Sequence, residues 1–167
     1  VSKGKLSEGA RDEILQRVTT TLEFSDLAEA DLVVEAVAED LTIKEAIFKE
    51  LDRSVKPEAI IATTTSSLSV VDLAAATDRP DRVLGLHFFN PVASLPLVEV
   101  IRGEQTSEHT MLAAMSFVTK IGKLPLPCRS APGFLVNRLL TPYMLEALYA
   151  HVDGHSLESI DAAAKAF

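Results

Sequence analysis

The chain has 167 residues, 47% hydrophobic and 24% charged, with a formal net charge of −8. That length suits one domain and is short for two, and the composition excludes a disordered or low-complexity chain. The acidic balance, without any cluster of Lys and Arg, disfavours nucleic acid and anionic membrane as partners. A single cysteine, Cys128, excludes an internal disulfide and fits a reducing, cytoplasmic setting. No apolar run approaches the ~20 residues of a membrane-spanning helix, and no signal peptide precedes Leu6.

In chain order, SEGARDEILQRV has Ala10, Ile14, Leu15 and Val18 at helical spacing, which predicts a helix from about Ser7 to Val18. DLVVEAV, residues 31–37, is an apolar run of strand length, as expected of a parallel strand covered on both faces. LTIKEAIFKELDRSV predicts a helix with Ile43, Ala46, Ile47 and Leu51 on its inner face and Glu45 opposite Lys49 on another. AIIA, residues 59–62, is a second buried strand, followed at once by TTTSS. Ser69 and Asp72 form a capping box for a helix from about Val70 to Ala76. RVLGLHFF and LPLVEVI read as strands. A helix follows from about Ser107 to Ile121, with Met111, Met115, Val118 and Ile121 inward and Gly122 closing it. LPLPCRS is another strand. APGFLVNRLLTPYMLEALYAHV reads as one long helix with Pro132 in its first turn and a kink at Pro142, and SLESIDAAAKAF begins one more. Strands alternating with helices predict an α/β, doubly wound parallel sheet over residues 1–130. The change to helices alone over 131–167 predicts the start of a second, helical module.

In such sheets ligands bind beyond the carboxyl ends of the strands, and TTTSS stands at one of them. Turn and cap chemistry accounts for any one of these hydroxyls taken singly. Ser69 has the helix cap as its task; Ser66 has no structural task. Strand alternation places Val83, Gly85 and His87 on one face, and Leu95, Leu97, Glu99 and Ile101 together on another. Burying a lone carboxylate is costly, so Glu99 requires a partner or a proton, and the nearest strand in sequence offers His87. A core histidine beside a water-facing carboxylate is the alternative reading. If the two meet, the carboxylate fixes the tautomer of the ring and stabilises the imidazolium, which describes a general base. Asn90 and Asn137 are further polar residues in apolar surroundings, open to a turn before Pro91 and a helix-interior hydrogen bond respectively. No His, Cys, Asp or Glu grouping has metal-ligand spacing, so no metal is expected.

TTSSLSVVDLA, DRVLGLHFFNPV, LVEVI and PGFLVNRLL, with DLVVEAVAED ahead of them, resemble in order and spacing the signatures of the L-3-hydroxyacyl-CoA dehydrogenases, over nearly the whole chain. The resemblance implies a partial Rossmann-like NAD-binding domain followed by the beginning of an all-helical domain. It further implies NAD-dependent, reversible oxidation of a (3S)-3-hydroxyacyl-CoA to the 3-ketoacyl-CoA, as in fatty-acid β-oxidation. In that family Ser66 would bond the substrate's 3-oxygen, His87 would be the base, Glu99 would orient it, and Asn137 would complete the site. Ala36, Glu39, Lys44, Ser66 and Asn90 would lie along the NAD. An acyl-CoA substrate, and either a homodimer or a place in a larger β-oxidation enzyme, follow from the same resemblance; KGKLSEGARDE and PVASLPLVEV tilt toward the latter.

The chain departs from the family's pattern in three ways. Thr64 stands where the family usually has asparagine, and Pro96 stands where it has a lysine. None of the seven glycines forms a G-x-G-x-x-G fingerprint, so the first βαβ unit is not expected here, nor is most of the helical module. DLVVEAV would then be an edge strand, and the chain alone would bind NAD poorly and be inactive. Two other readings stay open: a structural, crystallin-like descendant of the same wider family, and a non-catalytic fragment that pairs with itself or another chain.

Overall fold

A computed structural model describes residues 6–166 of the chain. Residues 3–5 of KGKLSEGARDE, and Phe167 at the end of the last expected helix, lie outside the described residues. The elements run α1 (Glu8–Leu15), β1 (Leu32–Glu35), α2 (Leu41–Ser54), β2 (Ile60–Thr63), α3 (Val70–Ala75), β3 (Val83–Phe88), β4 (Leu97–Arg102), α4 (Glu108–Lys120), β5 (Leu124–Arg129), α5 (Val136–Val152) and α6 (Leu157–Ala166). Five helices start where a side-chain oxygen can take a free amide, α6 among them, where Ser156 accepts from Ser159 at 3.1 Å. Ser7 accepts from Ala10 at 3.2 Å, Asp40 from Ile43 at 3.0 Å, Ser69 from Asp72 at 3.2 Å and Ser107 from Thr110 at 3.2 Å. At the other end of α4, Gly122 takes φ +75 while its amide and that of Lys123 bond the carbonyls of Thr119 and Val118. This double return seals the last turn as expected.

The five strands form one sheet in sequential order, β1-β2-β3-β4-β5. β1, β2 and β3 are parallel, as are β4 and β5, but β3 and β4 are antiparallel. The α/β, Rossmann-like parallel sheet expected from the sequence is thus present, with β3 and β4 as an antiparallel pair within it. The reason is length: residues 89–96 are too few for a parallel crossover, which takes about a dozen or more. β1 and β5 are the edges, and β5 carries Pro125 and Pro127, residues tolerated only where ladder amides are dispensable.

Both faces of the sheet are covered. On one face Phe48, Leu51 and Val55 of α2 and its end, and Val70, Leu73 and Ala74 of α3, pack on Ile61, Val83 and Ile101. On the other, Met111, Ala114 and Val118 of α4 pack on Ile60, Ala62, Leu84, Leu86, Val98 and Val100. Four expected helix details are corrected. The inner face of α2 is Lys44, Phe48 and Leu51, while Ile43 is 46% exposed, because a buried charge on the helix draws the face round by a residue. Ile121 of the α4 end is exposed. Helix α5 starts at Val136, not at Pro132, because Gly133 (φ 72) and Phe134 (φ 50) adopt left-handed backbone that no helix contains. The helix then continues through Pro142. α1 ends at Leu15 with Ile14 and Leu15 exposed.

One row of the sheet reads Glu35, Thr63, Gly85, Ile101, Cys128 across all five strands, and the next includes His87, Glu99 and Leu126. Alternation turns both rows to the α2/α3 face. Gly85 is the position where that face closes tightest: a Cβ there would stand 2.9 Å from Ile101 Cδ1, 3.0 Å from Ile101 Cβ and 3.2 Å from Val70 Cγ2. Because the neighbouring atoms belong to branched, buried side chains, Gly85→Ala is expected to destabilise the fold by ~1–3 kcal/mol. Urea denaturation measures it, and an unchanged midpoint would show that α3 can retreat freely from the sheet.

Candidate active site

His87 of β3 and Glu99 of β4 are direct cross-strand partners. Their side chains meet on the α2/α3 face, where His87 Nδ1 lies 2.7 Å from Glu99 Oε2. The carboxylate is fully buried and the imidazole nearly so. Glu99 Oε1 accepts from two main-chain amides, Leu135 at 2.9 Å and Val136 at 2.8 Å. Leu135 and Val136 open α5, a helix whose N-cap residue supplies no side-chain acceptor of its own. One buried carboxylate thus orients the ring and caps a helix, and the positive end of that helix dipole favours its negative charge. Since a carboxylate only accepts, Nδ1 carries the hydrogen and the Nε2 lone pair points away from Glu99. Phe89 and Phe134 confine the ring edgewise, with centroids 4.8 Å and 5.5 Å from it.

On the Nε2 side stands Ser66, whose Oγ is 3.1 Å away. Ser66 is exposed, on the loop that leaves β2. Its position comes from Glu39, whose Oε1 accepts from the Ser66 amide at 3.0 Å, from Thr65 Oγ1 at 2.5 Å and from Ser67 Oγ at 3.4 Å. Burial pushes the Glu39 carboxyl upward, but the bonds from Thr65 and the Ser66 amide and the charge of Lys44 outweigh it. The result is a carboxyl held below its ordinary value. Lys44, which the resemblance puts along the nucleotide, is fully buried: its Nζ lies 2.7 Å from Glu35 Oε1, 3.4 Å from the Val37 carbonyl and 3.5 Å from Glu39 Oε2. Its three donors face protein oxygens, and Glu39 is its link to the outside.

The structure brings Ser66, His87 and Glu99 into one hydrogen-bonded line. Asn137 is half-buried in the first turn of α5, one residue beyond the amide that Glu99 holds, and its side chain bonds no other described residue. Ala36 and Asn90 are exposed just past β1 and β3. Glu35 and Phe134 belong to the same neighbourhood and went unnoticed in the sequence, while Thr63 and Thr65 were seen there only as part of the TTTSS turn. For Glu35 a signal existed: it is an ionisable residue inside the apolar run DLVVEAV, the argument that singled out Glu99. Among the described residues every buried side-chain nitrogen and oxygen has a hydrogen-bond partner, and no cluster of His, Cys, Asp or Glu could hold a metal ion.

A serine, a histidine and an acid in line can serve as a nucleophile with its base, or as a base that takes a proton from a bound hydroxyl. Acyl transfer would also need free amides for an oxyanion. Here the amides of Ser66, Ser67 and Leu68 already donate to Glu39 or to Thr65 Oγ1, at 3.0, 3.3 and 2.9 Å. The geometry therefore favours the base over the nucleophile.

A mostly parallel sheet with this line at its strand ends defines a Rossmann-like α/β protein. The family profile described as "3-hydroxyacyl-CoA dehydrogenase, NAD binding domain" matches residues 1–131, and that described as "3-hydroxyacyl-CoA dehydrogenase, C-terminal domain" matches 133–167. The chain belongs to the 3-hydroxyacyl-CoA dehydrogenase family. It is 45% identical over 166 residues to a 3-hydroxybutyryl-CoA dehydrogenase of Clostridioides difficile, covering 99% of this chain and 59% of that protein. It is 45% identical over 161 residues to the fatty acid oxidation complex subunit alpha of Psychrobacter cryohalolentis, covering 92% of this chain and 22% of that one. A crystal structure of (S)-3-hydroxybutyryl-CoA dehydrogenase from Ralstonia eutropha superposes with a TM-score of 0.92 at 42% identity, over 95% of this chain and 56% of that one. The chain thus spans little more than half of the shorter relatives and about a fifth of the longer.

Cys128 gives a local readout of the buried charge. Burial, and after it the Glu99 carboxylate, push its thiol up to about 11 from 9.0. A raised value means that the fold prefers the thiol, so this contribution to stability is whole below pH 9 and is lost as pH rises toward 11. The pH midpoint of alkylation by iodoacetamide should accordingly fall near 11 in the native protein and near 9 in urea. A native midpoint near 9 would contradict the burial of the thiol, and with it the smaller effect of Glu99.

Proposed function

We propose that this chain carries the proton-accepting half of an NAD-dependent dehydrogenase for (3S)-3-hydroxyacyl-CoA, with His87 as base. The single observation that supports it most is the line from Glu99 through His87 to Ser66, with contacts of 2.7 and 3.1 Å. A substrate alcohol entering at Ser66 takes a hydrogen bond from its Oγ and presents its own proton to His87 Nε2. As the C–H bond is lost as hydride and the C=O forms, the proton passes to Nε2, and the new imidazolium is matched by Glu99. In this reading Asn137, in the first turn of α5 one residue past the amide that Glu99 holds, completes the site from the helical side.

The residues present fit NAD at its nicotinamide end. Ala36, Ser66 and Asn90 lie exposed past the carboxyl ends of β1, β2 and β3, three adjacent parallel strands, which is where such sheets take a nucleotide. Glu39 adds a carboxylate that is ionised at neutral pH, with 44% of its side chain exposed. Bound there, NAD supplies the hydride acceptor. Lys44 contributes from beneath by fixing Glu39. No glycine-rich turn in the sequence cradles the pyrophosphate, so the 167-residue chain by itself holds only part of the cofactor. A partner-chain or crystallin-like role has weaker support, since a non-catalytic protein has no use for a satisfied, buried His–Glu pair aimed at an exposed serine.

In the full-length protein, His87→Asn should lower kcat for (3S)-3-hydroxybutyryl-CoA oxidation by ~10²–10⁴-fold with KM little changed, the usual size of a general-base effect. NADH formation at 340 nm reads it; activity indifferent to the substitution would remove His87 as base. For the 167-residue chain alone, calorimetric titration with NAD should show no micromolar binding, and a micromolar constant would overturn the partial site.

A further inference from the structure

The far side of Ser66 is built as carefully as the near side. Glu35 and Lys44 side chains are each 1% exposed and form an ion pair at 2.7 Å. Taking both charges out of water costs several kcal/mol per ion, and a well-packed apolar pair of the same volume would fold equally well. Their retention is therefore explained by direction, a property that apolar groups lack.

The directions are legible atom by atom. Glu35 Oε1 accepts from Lys44 and, at 2.7 Å, from the amide of Val37, while Oε2 accepts from Thr63 Oγ1 at 2.8 Å. Thr63 has one hydroxyl hydrogen, and Glu35 takes it. The oxygen is then free only to accept, which it does from the amide of Thr65 at 3.2 Å. By the second route Lys44 holds Glu39, and Glu39 holds the Thr65 hydroxyl and the Ser66 amide. Both routes end at the main chain carrying Ser66.

We propose that Glu35 is a positioning residue for Ser66, acting through the Thr63 hydroxyl on one route and through Lys44 and Glu39 on the other. The role rests on the reading of Ser66 as the residue that bonds the substrate's oxygen. An ionised acid at position 35 is essential to it. An amide there could donate to Thr63, reverse the sense of the hydroxyl and release the Thr65 amide.

Thr63→Val, which keeps the shape and deletes the relay, tests this against Thr63→Ser, which keeps the hydroxyl. The first readout needs no substrate: the ¹⁵N resonance of His87 Nε2 in the ligand-free protein, with Ser66→Ala as the reference for a lost bond. Thr63→Val should shift this resonance in the direction that Ser66→Ala does and lower kcat of the full-length protein by ~10-fold or more, the scale of a small misplacement. Thr63→Ser should restore both. If Thr63→Val does not fold by circular dichroism, the same readings are taken from Glu35→Gln/Lys44→Met, whose buried pair is neutral. A folded variant with the wild-type resonance and unaltered kcat overturns the proposal. A shifted resonance in a protein whose activity ignores both Thr63→Val and His87→Asn keeps the positioning and overturns the dehydrogenase reading.

Discussion

The structure turns on the two oxygens of Glu99. One holds the ring of His87, and the other holds the first two amides of α5. A buried carboxylate is tolerable only with its lone pairs satisfied, and here charge-assisted bonds of ~1.5–3 kcal/mol each come from the sheet on one side and the helix on the other. Losing either set would leave a buried charge short of partners. The proposed base and the junction between the sheet and the helical segment are consequently one construction. The register of β3 and β4 that places His87 opposite Glu99 is in turn fixed by packing on both faces, because a slip by one residue would turn Val98 and Val100 toward α2 and α3 and Glu99 toward the apolar α4 face, away from His87.

The same carboxylate shows what sequence can and cannot say. Alternation along VLGLHF and LVEVIR, plus the cost of burying a lone acid, offers His87 as a partner for Glu99 but leaves open a water-facing carboxylate; the cross-strand register and the 2.7 Å contact decide between them. That α5 lacks a side-chain cap was also readable in PGFLV, yet nothing local says that its cap comes from a strand 36 residues earlier. The start of α5 was misplaced for a related reason: proline suits a first helical turn, but the left-handed Gly133 and Phe134 that follow it postpone the helix. In α2 the apolar spacing pointed to Ile43, Ala46 and Ile47, whereas the buried stripe runs through Lys44, a residue that hydropathy assigns to the surface. Buried charge is the common thread, since a pattern of apolar residues cannot see a lysine whose partner lies on another element.

Membership of the 3-hydroxyacyl-CoA dehydrogenase family adds the fold with certainty and the roles of individual side chains only by analogy. Thr64 illustrates the difference. It stands in place of the family's usual asparagine, yet its amide bonds the Glu35 carbonyl at 2.9 Å, so the β1–β2 ladder is continued irrespective of the side chain.

Two clamps of unlike design flank the proposed proton path. His87 stands on a strand, fixed by register and by one acid. Ser66 stands on a loop, where register gives no help, and it is fixed by a set of bonds reaching back to Glu35. The contrast follows from where each group must be. A base that gains charge benefits from a dry, preorganised partner, and the interior strand supplies Glu99, whose charge is balanced beforehand only by amide dipoles. In the proposed role, proton arrival on His87 would turn that ion–dipole balance into an ion pair across the 2.7 Å contact already in place. Ser66 is exposed, as the proposed contact with a substrate requires, and its main chain is held by bonds that reach back to charges buried beneath it.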